Sequence, residues 1–311
     1  MGTQWIRTDL ATELRTEHLK EFCKEKDEQI NGIDYSEETV DSFYCNTIRV
    51  TNREGSEIIG KEIGTYVTVR SGAIWRSPSK DFYCCTELLA KKIKMLSSEL
   101  GYHSGTVLVC GLGNREITPD SIGPNCARHI IVTSHLKKLN PRLYQDMEVG
   151  DVASLSPGVL GQTGMESAKL IEAAVNVIKP TLVIAVDALA AREIENLATT
   201  VQLCDTGVSP GSGVGNQRNE ISYKTLGVPV ICIGVPTVVD TATLVFDALD
   251  RSGLAEDSST ANAVLKSLQQ DRYFVSPKEM DKIAEELSTL IAYAINRAFH
   301  PQMSFEEMAR W

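Results

Sequence analysis

V-L-V-C-G-L-G-N-R-E-I-T-P-D-S-I-G-P, residues 107 to 124, joins a short apolar run to a glycine-bearing loop that carries a carboxylate. Val107 to Cys110 have the composition of a buried strand, Gly111 and Gly113 permit a sharp turn, and Thr118-Pro119-Asp120 sets an acid just ahead of a helix. In an open α/β sheet, ligands bind beyond the carboxyl ends of the strands, which is where Asp120 stands. Taken alone, Asp120 also reads as a cap for the helix behind it.

A second stretch repeats the arrangement. In T-L-V-I-A-V-D-A-L-A-A-R, residues 181 to 192, the β-branched run Thr181 to Val186 suits a parallel strand buried on both faces, and Asp187 closes it. A carboxylate beside buried strand backbone is costly unless it is paired, hydrogen-bonded or used. Two such strands would bring Asp120 and Asp187 to one crevice. Neighbouring carboxylates push their titrations apart, leaving one protonated and one ionised, as general acid and base work on an amide requires.

Outward from these two strands, helices and strands alternate. Residues 86–96 and 164–178 have helical spacing, and the helix after Asp120 is expected to run through Ile130 and Ile131 towards Leu136. Further strands are expected at 200–205 and 229–234, a helix at 240–249, and a long C-terminal helix over 277–298 opened by Ser276 and Pro277. The pattern predicts an α/β fold, with a mostly parallel central sheet covered on both faces. Residues 1–40 are charged and read as a helical or partly ordered arm. Residues 43–76 read as a small strand-rich embellishment, and 251–276 as a mobile excursion.

The 311 residues suffice for one large domain with a substantial core, and the net charge of −10 disfavours nonspecific nucleic-acid binding. No run approaches the roughly 18 apolar residues of a membrane span, and the N-terminus has no signal-peptide core, so a soluble intracellular protein is expected. None of the eight cysteines forms a C-x-x-C pair, and the five histidines are scattered. Buried free thiols are the expectation, with neither metal site nor cofactor.

Several short patterns point elsewhere. G-L-G-N-R-E puts Glu116 where a dinucleotide fingerprint needs its third glycine. G-V-S-P-G (207–211) matches a serine-hydrolase elbow, but Pro210 has no N–H for an oxyanion hole, which leaves Ser209 a poor nucleophile. D-T-G (205–207) is the triplet of pepsin-like proteases in the wrong fold class, although Asp205 follows a strand and is a candidate lining residue of the same cleft. P-G-S-G-V-G-N-Q-R-N-E (210–220) is a glycine-rich loop without a P-loop ending.

These segments together resemble the germination protease of spore-forming bacteria. The likeness is carried by R-T-D-L-A-T-E (7–13), C-G-L-G-N-R-E-I-T-P-D-S-I-G-P (110–124), G-Q-T-G-M-E (161–166), V-D-A-L-A-A-R (186–192), D-T-G-V-S-P-G-S-G-V-G-N (205–216) and I-G-V-P-T-V-V-D (233–240). It spans nearly the whole chain. More distantly, G-x-G-N followed by an acid and a strand-end V-D is similar to the hydrogenase maturation endopeptidases, whose fold is a three-layer α/β sandwich.

The resemblance implies an atypical aspartic endopeptidase with Asp120 and Asp187 as catalytic acids, acting on small acid-soluble spore proteins in the spore core. It implies a homotetramer and a self-processing zymogen, with a propeptide over 1–9, a protease domain over 10–311 and the processing site between Asp9 and Leu10. Acidification is expected to promote that cleavage, because protonation eases an acid in beside the catalytic pair. Cleavage after acidic residues suggests a basic pocket, for which Arg115 and Arg192 are candidates; either could instead pair with carboxylates or face solvent. A metal-dependent maturation peptidase is the alternative reading.

Overall fold

The computed structural model describes residues 6–22, 30–211, 219–253, 259–271 and 273–311. Within them, nine strands form one sheet: β1 (Ile33–Val40), β2 (Phe43–Val50), β3 (Gly64–Arg70), β4 (Thr106–Gly111), β5 (Asp151–Leu155), β6 (Leu182–Ala191), β7 (Thr200–Cys204), β8 (Val230–Asp240) and β9 (Phe274–Val275). Their order is β1-β2-β3-β7-β8-β6-β4-β5, with β9 on the end of β8.

The sheet is mixed rather than mostly parallel. Strands β8, β6, β4 and β5 run parallel, as the apolar runs predict. The other half is antiparallel, because the segment expected to be a separate embellishment joins the same sheet when β3 pairs with β7, from Tyr66 opposite Cys204 to Arg70 opposite Thr200. Only residues 192–199 link β6 to β7. That is shorter than the dozen or so residues a parallel crossover needs, so β7 returns antiparallel to β8.

Alternation along β6 sorts its side chains between two cores. Leu182, Ile184 and Val186 pack with Leu89, Ile93, Leu287 and Ile291 of the helices Ser79–Glu99 and Met280–Phe299. Val183 and Ala185 pack on the opposite side with Ile171 and Val175 of the helix Ser167–Ile178 and with Ala11 and Leu19 of the N-terminal helix Ala11–Phe22. Asp187 continues the second register, which places it on the face where the N-terminal helix lies. Each fully buried Leu, Ile or Val contributes about 1.5–3 kcal/mol of transfer free energy, so the sheet is secured from both sides.

Two local expectations change. The helix after Asp120 stops at Arg128, because Ile130 to Thr133 is a β-branched run whose backbone is engaged elsewhere: the Ile131 amide donates to Asn296 Oδ1 at 2.9 Å and the Thr133 amide to the Val152 carbonyl at 2.9 Å. The C-terminal helix begins at Met280 rather than at Pro277, since the chain has only just left β9. The 251–276 excursion contains the helix Ser259–Asp271, whose Leu265 packs on Phe246. The N-terminal region is likewise built into the fold, as the helix 11–22 and as β1.

Among the described residues no helix is long and apolar enough to cross a membrane. The seven described cysteines are free, and all but Cys84 are buried; Cys23 lies outside the described residues.

Candidate active site

Asp120 ends a short 3-10 turn, Thr118–Asp120, in which Pro119 fixes the first bend. It does not cap the helix Ile122–Arg128 with its side chain. Its Oδ2 instead accepts a hydrogen bond from the Asn114 amide at 2.8 Å, closing the loop upon itself. Gly113, at φ +111°, makes this possible, because a Cβ there would collide with the Asp120 carbonyl oxygen. The Leu112 amide donates to the Val186 carbonyl at 2.8 Å, fastening the loop beside Asp187.

Asp187 lies within β6 rather than at its end. The strand continues to Ala191 with Asp187 opposite Gly234 of β8, and a register shift falls between Leu189 and Ala190. Small residues such as Ala188, Ala190 and Ala191 carry little strand propensity, so the extension depends on the long partner strand β8. Asp187 is buried, and its Oδ1 accepts from the Ala188 amide at 2.9 Å.

Asp120 and Asp187 line one cavity of about 490 Å³, together with Asp9, Leu112, Asn114 and Ser209. A neighbouring cavity of about 620 Å³ shares Asp9, Asp187 and Ser209 and adds Lys61 and Gln202. Residues 6 to 13 run across this region. Ile6 packs against Phe246 and Leu265, and the Arg7 amide donates to Thr243 Oγ1 at 3.1 Å. Leu10 is fully buried against Ala191, Leu197 and Val239. Asp9 donates its amide to the Ala190 carbonyl and accepts the Ala190 N–H on Oδ2, each at 2.9 Å.

Glu13 anchors the segment from the other side. Its carboxyl is buried and accepts from the Arg192 amide at 2.8 Å, the Glu193 amide at 3.0 Å, Asn196 Nδ2 at 2.7 Å and the Thr8 hydroxyl. Burial holds its pKa above the usual carboxylate range despite these donors.

The other sequence candidates stand apart from the two cavities. Arg192 is buried and directs its guanidinium to Asp247, at 2.8 Å from Nη2, and to Glu17. Arg115 is exposed, in a separate depression with Ser121, Arg128, Asp281 and Glu285. Asp205 accepts the Thr65 amide on Oδ1 at 2.7 Å and so fixes the start of β3. Most of the glycine-rich loop, residues 212–218, lies outside the described residues. Among the described residues no group of three or more His, Cys, Asp or Glu side chains is placed to hold a metal ion.

Sequence reading did not single out Lys61, Gln202, Asn114 or Glu13 in this region. Gln202 carried a legible signal, as a polar residue inside the apolar run T-V-Q-L-C.

The germination protease family model matches residues 9–252, which include Asp9, Asp120 and Asp187. The chain belongs to the germination protease family. It is 38% identical to the germination protease of Clostridium acetobutylicum, over 98% of each chain. It is also 38% identical to that of Caldanaerobacter subterraneus subsp. tengcongensis, over 97% of each, and 32% identical to that of Priestia megaterium, over 98% of this chain and 96% of the relative. Membership makes the chain a peptidase with protein substrates. Among solved structures, the NiFe hydrogenase maturation protease HycI of Thermococcus kodakarensis is similar over 66% of this chain and 98% of its own, with 19% identity and a TM-score of 0.36.

Proposed function

We propose that this germination protease is an aspartic endopeptidase in which Asp120 and Asp187 activate water, and that its first substrate is its own Asp9–Leu10 bond. The observation that carries the reading is the shared cavity: Asp9, Asp120 and Asp187 line the same space. One ionised carboxylate takes a proton from water, while the other, protonated, serves the carbonyl or the leaving nitrogen. Removal of residues 1–9 converts a zymogen to the mature enzyme. The targets in trans are small acid-soluble spore proteins in the spore core, cut after an acidic residue, and the working assembly is a homotetramer.

The test is cleavage by the full chain, followed by mass spectrometry of its N-terminus and by hydrolysis of a peptide bearing T-E-F-A-S-E in the presence of a chelator. Asp120→Asn and Asp187→Asn each abolish both reactions while thermal unfolding stays cooperative. A single Asn variant with normal activity overturns the pair.

A further inference from the structure

The carbonyl oxygen of Asp9, which belongs to the Asp9–Leu10 peptide bond, accepts two side-chain hydrogen bonds. Lys61 Nζ donates at 2.9 Å and Gln202 Nε2 at 3.1 Å. Gln202 Oε1 also accepts the Ala11 amide at 2.8 Å. One carboxamide therefore spans the Asp9–Leu10 bond, holding the carbonyl on one side and an N–H beyond it on the other.

Both donors are fixed by backbone. Gln202 is buried in β7 between Thr68 of β3 and Gly234 of β8. Lys61 follows Gly60, whose left-handed conformation ends the helix Arg53–Ile59 and turns the chain. Both side chains line the cavity that contains Asp9 and Asp187.

We propose that Lys61 and Gln202 are catalytic residues that stabilise the oxyanion formed on the Asp9 carbonyl during self-cleavage, and on the corresponding carbonyl of other substrates. The inference rests on the assignment of Asp120 and Asp187 as the water-activating pair. Water oxygen bonds to the Asp9 carbonyl carbon as its proton passes to the ionised carboxylate, and the carbonyl π pair moves onto oxygen. Collapse restores C=O and breaks the C–N bond. The Leu10 nitrogen leaves as an amine with a proton from the pair, and Asp9 gains a terminal carboxyl group.

The carbonyl carries only partial negative charge before attack and a full charge after it, so an ammonium and an amide N–H gain strength as the reaction proceeds. Both donors already hold the ground-state carbonyl oxygen, at 2.9 and 3.1 Å, and so stand beside the position that the oxyanion takes up on attack. Two aspartates supply no cation for that oxygen, and Lys61 does. A bond that merely tethered the N-terminal segment would have no need of a cation at the carbonyl under attack.

The test uses the full chain, with the N-terminal mass followed over time for Lys61→Ala, Lys61→Met and Gln202→Glu. Gln202→Glu keeps an acceptor for Ala11 and loses the donor. Each variant is expected to slow self-cleavage by about 10²–10³-fold with a retained unfolding transition. Methylammonium added to Lys61→Ala is expected to restore part of the rate in a saturable manner, which a tethering role would not produce. Unaltered cleavage in the Lys61 variants, or a slow Lys61→Ala that methylammonium leaves slow, overturns the proposal. Asp120→Asn and Asp187→Asn are run alongside. If they cleave normally the pair itself fails, whereas inactive Asn variants beside a normal Lys61→Ala reject only the oxyanion role.

Discussion

Asp9 and Ala190 exchange two hydrogen bonds, the Asp9 amide donating to the Ala190 carbonyl and the Ala190 amide donating to Asp9 Oδ2, each at 2.9 Å. The N-terminal segment is thus paired to β6 three residues beyond Asp187, and the acidic side chain ahead of the proposed cleavage point is met by a main-chain N–H. A hydrogen bond to a charged group contributes about 1.5–3 kcal/mol, or roughly tenfold to a hundredfold in rate if it aligns the bond for attack. Asp9→Ala should slow self-cleavage by about that factor, measured by mass spectrometry of the full chain. An Asp9→Ala chain processed at the unmutated rate would show that the pairing does not position the bond.

Glu13 makes the seating of this segment pH-dependent. Burial raises its folded pKa above the unfolded value, so the native state binds a proton more readily than the unfolded one. Its contribution to stability is fully present below the unfolded pKa and is lost as pH rises through the raised folded pKa. Acidification should therefore tighten the anchorage of residues 8–13, in the same sense as the expected acid stimulation of self-cleavage. Hydrogen exchange of the amides of residues 10–15 should slow between neutral and mildly acidic pH beyond the intrinsic chemical effect. Glu13→Gln should flatten that difference; a Glu13→Gln chain with the same residual pH dependence would assign it to another group.

The dyad candidates were legible because each follows an apolar strand run, a pattern that requires no knowledge of long-range pairing. The length of β6 was not, since the Ala-rich residues 188–191 gain their strand conformation from β8. The mixed sheet was hidden for a similar reason: the β3–β7 pairing joins residues far apart in sequence, and alternation in Tyr66 to Arg70 does not reveal that Tyr66 and Thr68 are buried too. Lys61 carried no signal at all. It sits in an ordinary turn, and only the closure of the N-terminal segment over the sheet brings Asp9 to it.

Arg192 illustrates how a charge beside a catalytic candidate serves the fold. Burial works against its charge, but Asp247 and Glu17 outweigh that effect and hold its pKa up. Removing one partner from such a buried set leaves uncompensated carboxylates and costs about 3–5 kcal/mol. Arg192→Met should lower the free energy of chemical denaturation by about that amount and loosen the N-terminal helix that carries Glu17. A loss under about 1 kcal/mol would mean that water replaces the guanidinium at little cost.

Gly113 offers a way to disturb Asp120 without altering its chemistry. Its φ of +111° lies where residues with a Cβ are strained, and a Cβ would strike the carbonyl oxygen of Asp120 and approach its Oδ1 to 2.9 Å. Gly113→Ala must therefore push the Thr118–Asp120 turn outward and break the Asn114 to Asp120 hydrogen bond. The strain should cost about 1–3 kcal/mol of stability, small enough for the fold to persist. Activity should fall much further, by about a hundredfold, because displacing a reacting group by about 1 Å is sufficient for that loss. The two measurements, peptide hydrolysis and denaturant unfolding, separate the effects. Full hydrolytic activity in a folded Gly113→Ala chain would place Asp120 outside the reaction, since no water-activating carboxylate tolerates such a shift.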